Sequence, residues 1–358
     1  MWFRNLTLFE CIEKFILSEE ALSEKLSSDA FIPCTSVDPT SIGWVAPVGG
    51  DDAPLVHSAN GFLMIALRIQ EKVVPASIIK EILDEKVEEI ELRESRKVRK
   101  KEKDSLKDDI YQTLLPRAFS RTNTTYAYID AQDGWVVVNS ASSKKAEQLT
   151  VELRKAMGSL KIRLPELLPM SVLMTQWIKE NNYPVDLVIE DNCVLQDNHD
   201  GGGVIRCQRQ NLLSEDIIAL IDSGRDVVQL GLSWKDEISF VINDEFVIKS
   251  LKFLEVIQDQ ANDVLSESAT QKFDADFSIM TGSLRGFIQY LSSIFLKGRD
   301  DALSAENIVG VESAPLNEEI QSGQDEDAPT EIVLNELLDI SEESENLEEN
   351  KKVENVPF

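Results

Sequence analysis

Apolar positions along the chain follow two periods, alternation and a 3.6-residue stripe, and their mixture predicts an α+β protein. Met1 to Glu10 alternates like a strand, and Glu13 to Leu26 has helical spacing. Gly43 to Gly50 is predicted as loop, and Gly61 to Arg68 is a continuous apolar run that predicts a buried strand. Thr125 to Asp130 and Trp135 to Asn139 flank an Asp133-Gly134 hairpin turn, and the helical stripe of Ser143 to Met157 stops at Gly158. Ser171 to Glu180 is again helical, and Asp186 to Glu190 is a short strand. A glycine-rich turn, Asp200 to Gly203, leads into another strand. The helix opened by Ser214 stops near Gly224. Arg225 to Trp234, Glu237 to Asn243 and Glu245 to Phe253 read as a β-meander, and Gly282 to Leu296 as a closing helix.

Between the first strands and the Asp-Gly turn lies a different pattern. Pro75-Ala76-Ser77 opens a long helix with Ser77 as its N-cap and Ile79, Leu83, Val87 and Ile90 as its apolar stripe. A second helix, Asp104 to Leu115, returns antiparallel and ends before Pro116. Together they form a projecting helical hairpin. The first helix is acidic in its first half and basic in its second. At 100° per residue Arg96, Lys100, Lys103 and Lys107 share one face.

Charge gives that hairpin its meaning. The 358-residue chain has a formal net charge of -28, yet residues 93 to 121 hold ten Lys/Arg against five Asp/Glu. Residues 301 to 358 hold 17 Asp/Glu and 2 Lys, a composition that predicts a disordered acidic tail. With much of the negative charge in that tail, the basic stretch suits contact with a phosphate backbone. Lys97, Arg99, Arg117 and Arg121 extend it, and Phe119 sits between the last two. An aromatic flanked by cations can stack on a base, fill a partner's pocket or pack locally. The tail suits covering this patch or recruiting a further partner.

Other chemistry is sparse. Cys11, Cys34, Cys193 and Cys207, with His57 and His199, are too scattered for a zinc site and are expected as free thiols. No apolar run reaches 18 residues, and the amino terminus lacks a signal-peptide layout, so a cytosolic protein without a membrane anchor is expected. The glycines at 201–203 lack the Lys-Ser/Thr ending of a phosphate loop. On the strand that follows, Arg206, Gln208 and Gln210 share one face, and Cys207 and Arg209 the other. Arg225 stands at the mouth of the next strand. Asp274 and Asp276 would converge if Phe273 to Phe277 were a strand, which opens a reading as a metal-dependent DNA-processing enzyme. The other readings are a cofactor-free DNA-binding protein and a regulator whose basic hairpin takes an acidic protein.

Specific motifs then carry a family resemblance. Lys103-Asp104-Ser105-Leu106-Lys107-Asp108, Leu114-Leu115-Pro116-Arg117-Ala118-Phe119-Ser120-Arg121, Ser143-Lys144-Lys145-Ala146-Glu147, Gly202-Gly203-Val204-Ile205-Arg206 and Lys272-Phe273-Asp274-Ala275-Asp276-Phe277, followed by Met280-Thr281-Gly282, occur in order over residues 1 to 297. The set resembles the bacterial recombination-associated protein RdgC family. The resemblance implies a ring-shaped homodimer with a positively lined hole, without cofactors or enzymatic activity. It implies binding of double-stranded and single-stranded DNA, antagonism of RecA in recombination and replication-fork repair, and a nucleoid-associated, cytoplasmic location. It places Phe119 at a dimer contact, and Arg209, Gln210 and Arg225 on the DNA-facing surface with the hairpin's Arg96, Lys97, Arg99, Lys100 and Lys103. The family often has lysine where this chain has Arg209 and Arg225, and a cation where it has Gln208. The implied layout is a central α+β domain (1–74 and 122–169), a basic hairpin (75–121), a second α+β domain (170–299) and the tail (300–358).

Overall fold

The computed structural model describes residues 1–50, 53–197, 202–263 and 268–297. The expected turn at Asp200-Gly201 and the acidic tail lie outside the described residues. The described chain is a mixed α/β structure with antiparallel sheets.

The first sheet comprises β1 (Thr7–Cys11), β2 (Thr40–Val45), β3 (Val56–Ala59), β4 (Phe62–Val73), β5 (Phe119–Asp130), β6 (Trp135–Val138) and β7 (Ile162–Arg163). Its order is β2-β4-β5-β6-β1-β7, with β3 also paired to β4. The continuous apolar run of β4 reflects burial of both faces. Leu63, Ile65 and Leu67 pack with Leu22 and Leu26 of α1 (Glu19–Ser27), and across β5, where the second core face continues through Ala127 and Ile129, the same cluster takes in residues of a later helix. Phe62 and Met64 point the other way, into the larger core.

Two helices interrupt this sheet between β4 and β5: α2 (Ala76–Glu94) and α3 (Lys100–Leu114). After β6 comes α4 (Ser143–Met157), whose Ala146, Leu149 and Leu153 complete the smaller core. The second sheet follows α5 (Met170–Glu180). It has β8 (Leu187–Asp197), β9 (Val204–Gln208), then, after α6 (Glu215–Asp222), β10 (Arg225–Trp234), β11 (Ile238–Asn243) and β12 (Ile248–Phe253), in the order β12-β11-β10-β8-β9. The described chain continues with α7 (Glu255–Asp263) and α8 (Ala269–Phe295).

Helix α8 joins the two sheets. Ser268 caps it, its Oγ accepting from the Gln271 N–H at 3.1 Å. Phe277, Leu284, Phe287, Leu291 and Phe295 recur at helical spacing and are all buried. Phe277 lies edge-on to Tyr128 of the first sheet, and Phe287 to Phe240 of the second. Arg285 extends the link through Asp130 at the end of β5.

Several expectations change. Gly43, Trp44 and Val45 belong to β2 rather than a loop. Segment 29–31 lies against that strand, with the Phe31 N–H donating to Trp44 C=O and the Trp44 N–H to Asp29 C=O. A Cβ at Gly43 would come within 2.4 Å of Phe31 Cα, so the close approach requires glycine. Gly43→Ala is expected to destabilise the protein by about 1–3 kcal/mol in urea denaturation. The first long helix has Pro75 rather than Ser77 at its N-cap position, with no side-chain capping bond. β4 and β5 run further than the apolar pattern shows, because their polar ends pair with each other from Arg68↔Thr124 to Val73↔Phe119. Gly282 lies inside α8 and does not start it.

Candidate nucleic-acid interface

The basic stretch does not continue one helix. α2 ends at Glu94, Ser95 takes a left-handed conformation at φ 50°, and α3 begins at Lys100 rather than Asp104. Arg96, Lys97, Val98 and Arg99 therefore form the turn, and the expected face of Arg96, Lys100, Lys103 and Lys107 loses its first member. Buried Val98 anchors the turn, and its N–H donates to Glu91 Oε1 at 3.0 Å.

The cations of this turn and of the start of α3 divide into two kinds. Arg96 reaches across it, with Nη1 and Nη2 each 2.8 Å from an oxygen of Glu102 and Nε 2.7 Å from Glu94 Oε2. These bonds hold the Glu94 and Glu102 carboxyls below their ordinary range and raise the Arg96 guanidinium. Arg96 is thus occupied as a tie between the two helices. Lys97, Arg99, Lys100 and Lys103 are exposed, and among the described residues they form no ion pair. They surround the tie and lie open to an anion.

Leu115, buried, starts a 3₁₀ turn through Arg117, and its C=O accepts from Lys72 Nζ at 3.2 Å. This fixes the exit from α3 and sets Arg117 and Arg121 exposed on either side of Phe119. Phe119 is 88% exposed, so the local-packing reading of this ring does not hold. It opens β5 opposite Val73, itself 48% exposed, and the two form an apolar spot beside the cations. Val73 could not be assigned this place from sequence, since the strand pairing that sets it there joins polar segments.

On the second sheet, β9 ends at Gln208 and Arg209 turns into the left-handed region at φ 55°. The expected strand alternation through Arg209 and Gln210 therefore stops at Gln208. The Gln210 N–H donates to Asp191 C=O at 3.1 Å, and both side chains are exposed. Arg225 opens β10 opposite Asp197, and its Nη1 donates to Ser223 Oγ. Asp191 and Asp197 are six residues apart on β8. At about 3.3 Å per residue, the Arg209 and Arg225 positions lie about 20 Å apart along the strand. The basic turn and these two arginines come from separate elements and do not form one cluster of side-chain contacts.

The paired-carboxylate site is overturned. Phe273 to Phe277 is part of α8, where residues two apart point about 200° apart around the axis. Asp274 Oδ1 lies 3.0 Å from His57 Nε2, and Asp276 pairs with the Met1 amino group at 3.6 Å. Among the described residues, no group of three or more His, Cys, Asp or Glu is placed to hold a metal. The four cysteines are free. Cys193 and Cys207 face each other across β8 and β9, and burial pushes the Cys193 thiol up to about 12 and that of Cys11 up to about 11. Both stay protonated at neutral pH. No helix among the described residues is long and apolar enough to cross a membrane.

Comparison with known proteins agrees with the motifs. A family model described as "Putative exonuclease, RdgC" matches residues 1–298. Proteins named "Recombination-associated protein RdgC" are similar over most of their length. That of Aeromonas hydrophila is 42% identical over 293 residues, covering 81% of this chain and 96% of the relative. That of Pseudomonas paraeruginosa is 41% identical over 315 residues, covering 86% and 99%. Pseudomonas entomophila has one 42% identical over 310 residues, again covering 86% and 99%. With a match this long and identities at this level, the chain belongs to the RdgC family of recombination-associated proteins.

Proposed function

We propose that this protein is a non-enzymatic DNA-binding protein that grips the phosphate backbone without sequence preference and modulates RecA-dependent recombination. The observation that carries the reading is the cluster of exposed cations that form no ion pair among the described residues, Lys97, Arg99, Lys100 and Lys103, in a chain of net charge -28. Lysine and arginine on an exposed turn and helix start can follow phosphates on either strand form, whereas base readout needs side chains fixed against groove edges. The recombination-associated name of the relatives supports the same class of partner.

In this reading α2 and α3 form a projecting basic hairpin (75–121) on a central domain (1–74 and 122–169). A second domain (170–299) presents Arg209, Gln210 and Arg225, and two copies close a ring around the duplex. Such a ring retains DNA by topology as well as by contact. The acidic tail (300–358) either screens the basic turn or recruits a partner, and the complex is nucleoid-associated.

The test is titration of a labelled random-sequence duplex and a single strand at several salt concentrations. A linear fall of log affinity with log salt, insensitive to sequence, is expected, at about 0.9 per phosphate contact for duplex. Absence of binding at low salt would overturn the reading. Phe119→Ala addresses the dimer contact. Because the ring is almost fully exposed in one chain, stability should change by less than about 0.5 kcal/mol. The dimer should dissociate at lower dilution in sedimentation analysis, and an unchanged dimer would remove Phe119 from the contact.

A further inference from the structure

Strand β1 is paired along one edge but has a one-residue gap on the other. The Cys11 N–H donates to Gly134 C=O at 2.8 Å, so odd-numbered residues of β1 turn their N–H and C=O toward β6. Even-numbered residues turn theirs to the opposite edge. There Leu6 exchanges both bonds with Ile248, at 2.8 and 2.9 Å, and the Ile12 N–H donates to Lys161 C=O at 2.9 Å. Glu10 stands opposite Arg163. Leu8 lies between these pairings, and its N–H and C=O have no partner among the described residues.

Proline explains the gap. The register that sets Arg163 opposite Glu10 would set Pro165 opposite Leu8, and proline has no N–H to offer. On the other side Phe246 is left-handed at φ 60°, which carries the chain away before β12 can extend past Ile248. Leu8 is 2% exposed, and a buried backbone pair left open is rare.

A cavity of about 410 Å³ fills this break, lined by Leu8 with Leu164, Pro165 and Val247 among others. Glu147, Asp244 and Glu245 also line it, and among the described residues no lysine, arginine or histidine does. We propose that this slot binds an extended peptide of a partner protein, with one apolar residue flanked by lysine or arginine pairing its backbone with Leu8. An extended residue presents its N–H and C=O to the same side, so a single residue satisfies both groups of Leu8 as a one-rung strand addition. Its neighbours then take the face of Thr7 and Phe9, the side covered by α4, where Glu147 stands. The chain's own acidic carboxyl-terminal segment, with 17 Asp/Glu among residues 301–358, is repelled by the same carboxylates.

The experiment titrates the acetylated, amidated tripeptide Lys-Leu-Lys into ¹⁵N-labelled full-length protein and follows the Leu8 amide. A saturable shift of that resonance is expected, with exchange of its proton slowed about tenfold. Methylating the central peptide nitrogen removes the donor to Leu8 C=O and should weaken binding about fivefold. Glu147→Gln lies on an exposed helix surface and should weaken it about threefold. A Leu8 amide unmoved at millimolar peptide would overturn the proposal. So would equal affinity for Glu-Leu-Glu or for the methylated peptide.

Discussion

Replacing Lys97, Arg99, Lys100 and Lys103 together by glutamine is expected to flatten the salt dependence of duplex binding by up to roughly 3.6 log units per log unit of salt, at about 0.9 per lost phosphate contact. Extrapolated to curves that meet at 1 M salt, the same relation gives a loss of up to about 4000-fold at 0.1 M. Each of the four side chains is exposed and lacks an ion pair among the described residues, so none must be released from a protein partner before meeting a phosphate. Arg96→Gln is the matched contrast. Its guanidinium is engaged by Glu94 and Glu102, so the slope should stay nearly unchanged while the helix pair loosens. The carboxyls of Glu94 and Glu102 are held low in the folded state, so their contribution is present above the ordinary carboxylate range. It is lost as acid carries the pH down through their lowered folded values. Hydrogen exchange at the 95–99 turn, compared at neutral and acid pH in both proteins, reads this directly. An unchanged slope in the fourfold variant would move the phosphate contacts elsewhere.

Arg285→Met is expected to destabilise the protein by about 2–4 kcal/mol in urea denaturation, because it leaves the Asp130 carboxylate buried without its cation. Asp130 is 3% exposed and accepts from Arg285 Nε at 2.8 Å and Nη2 at 2.7 Å. The Arg285 side chain is 23% exposed, which places the cost at the lower side of the range for a fully buried pair. The N–H groups of Gln132 and Asp133 also donate to Asp130 Oδ1, at 3.0 and 3.1 Å, and would remain its partners. Arg285 further lies over the Phe62 ring at 4.2 Å, so methionine keeps part of the packing while removing the charge. Adding Asp130→Asn should recover part of the loss. A change below about 1 kcal/mol would mean that water replaces the arginine at little cost.

Element type was legible wherever packing had written a period into the residues. The apolar run of β4 and the stripe of α4 are examples, as is the Asp133-Gly134 turn, where Gly134 has φ 71°. Phe273 to Phe277 misled because Phe-Asp-Ala-Asp-Phe is a two-residue alternation inside a 27-residue helix. Its phenylalanines are four apart, which serves a helix equally well, and the tertiary contacts of Phe277 decide between the two. Gly43 misled in the opposite direction, since a glycine that signals a turn can also mark a close backbone approach.

The family and the presence of a concentrated basic region inside an acidic protein were determined by the sequence alone, because motif order and charge are properties of the chain itself. Which of those cations are free was not. Arg96 and Glu102 are six residues apart, a spacing that no regular helix brings together, and they meet because a left-handed Ser95 turns the chain between α2 and α3. The exposure of Phe119, the divergence of Asp274 and Asp276, and the open backbone of Leu8 are likewise decisions of the tertiary structure. Each depends on which segment lies alongside, and long-range pairing leaves no local period in the residues that make it.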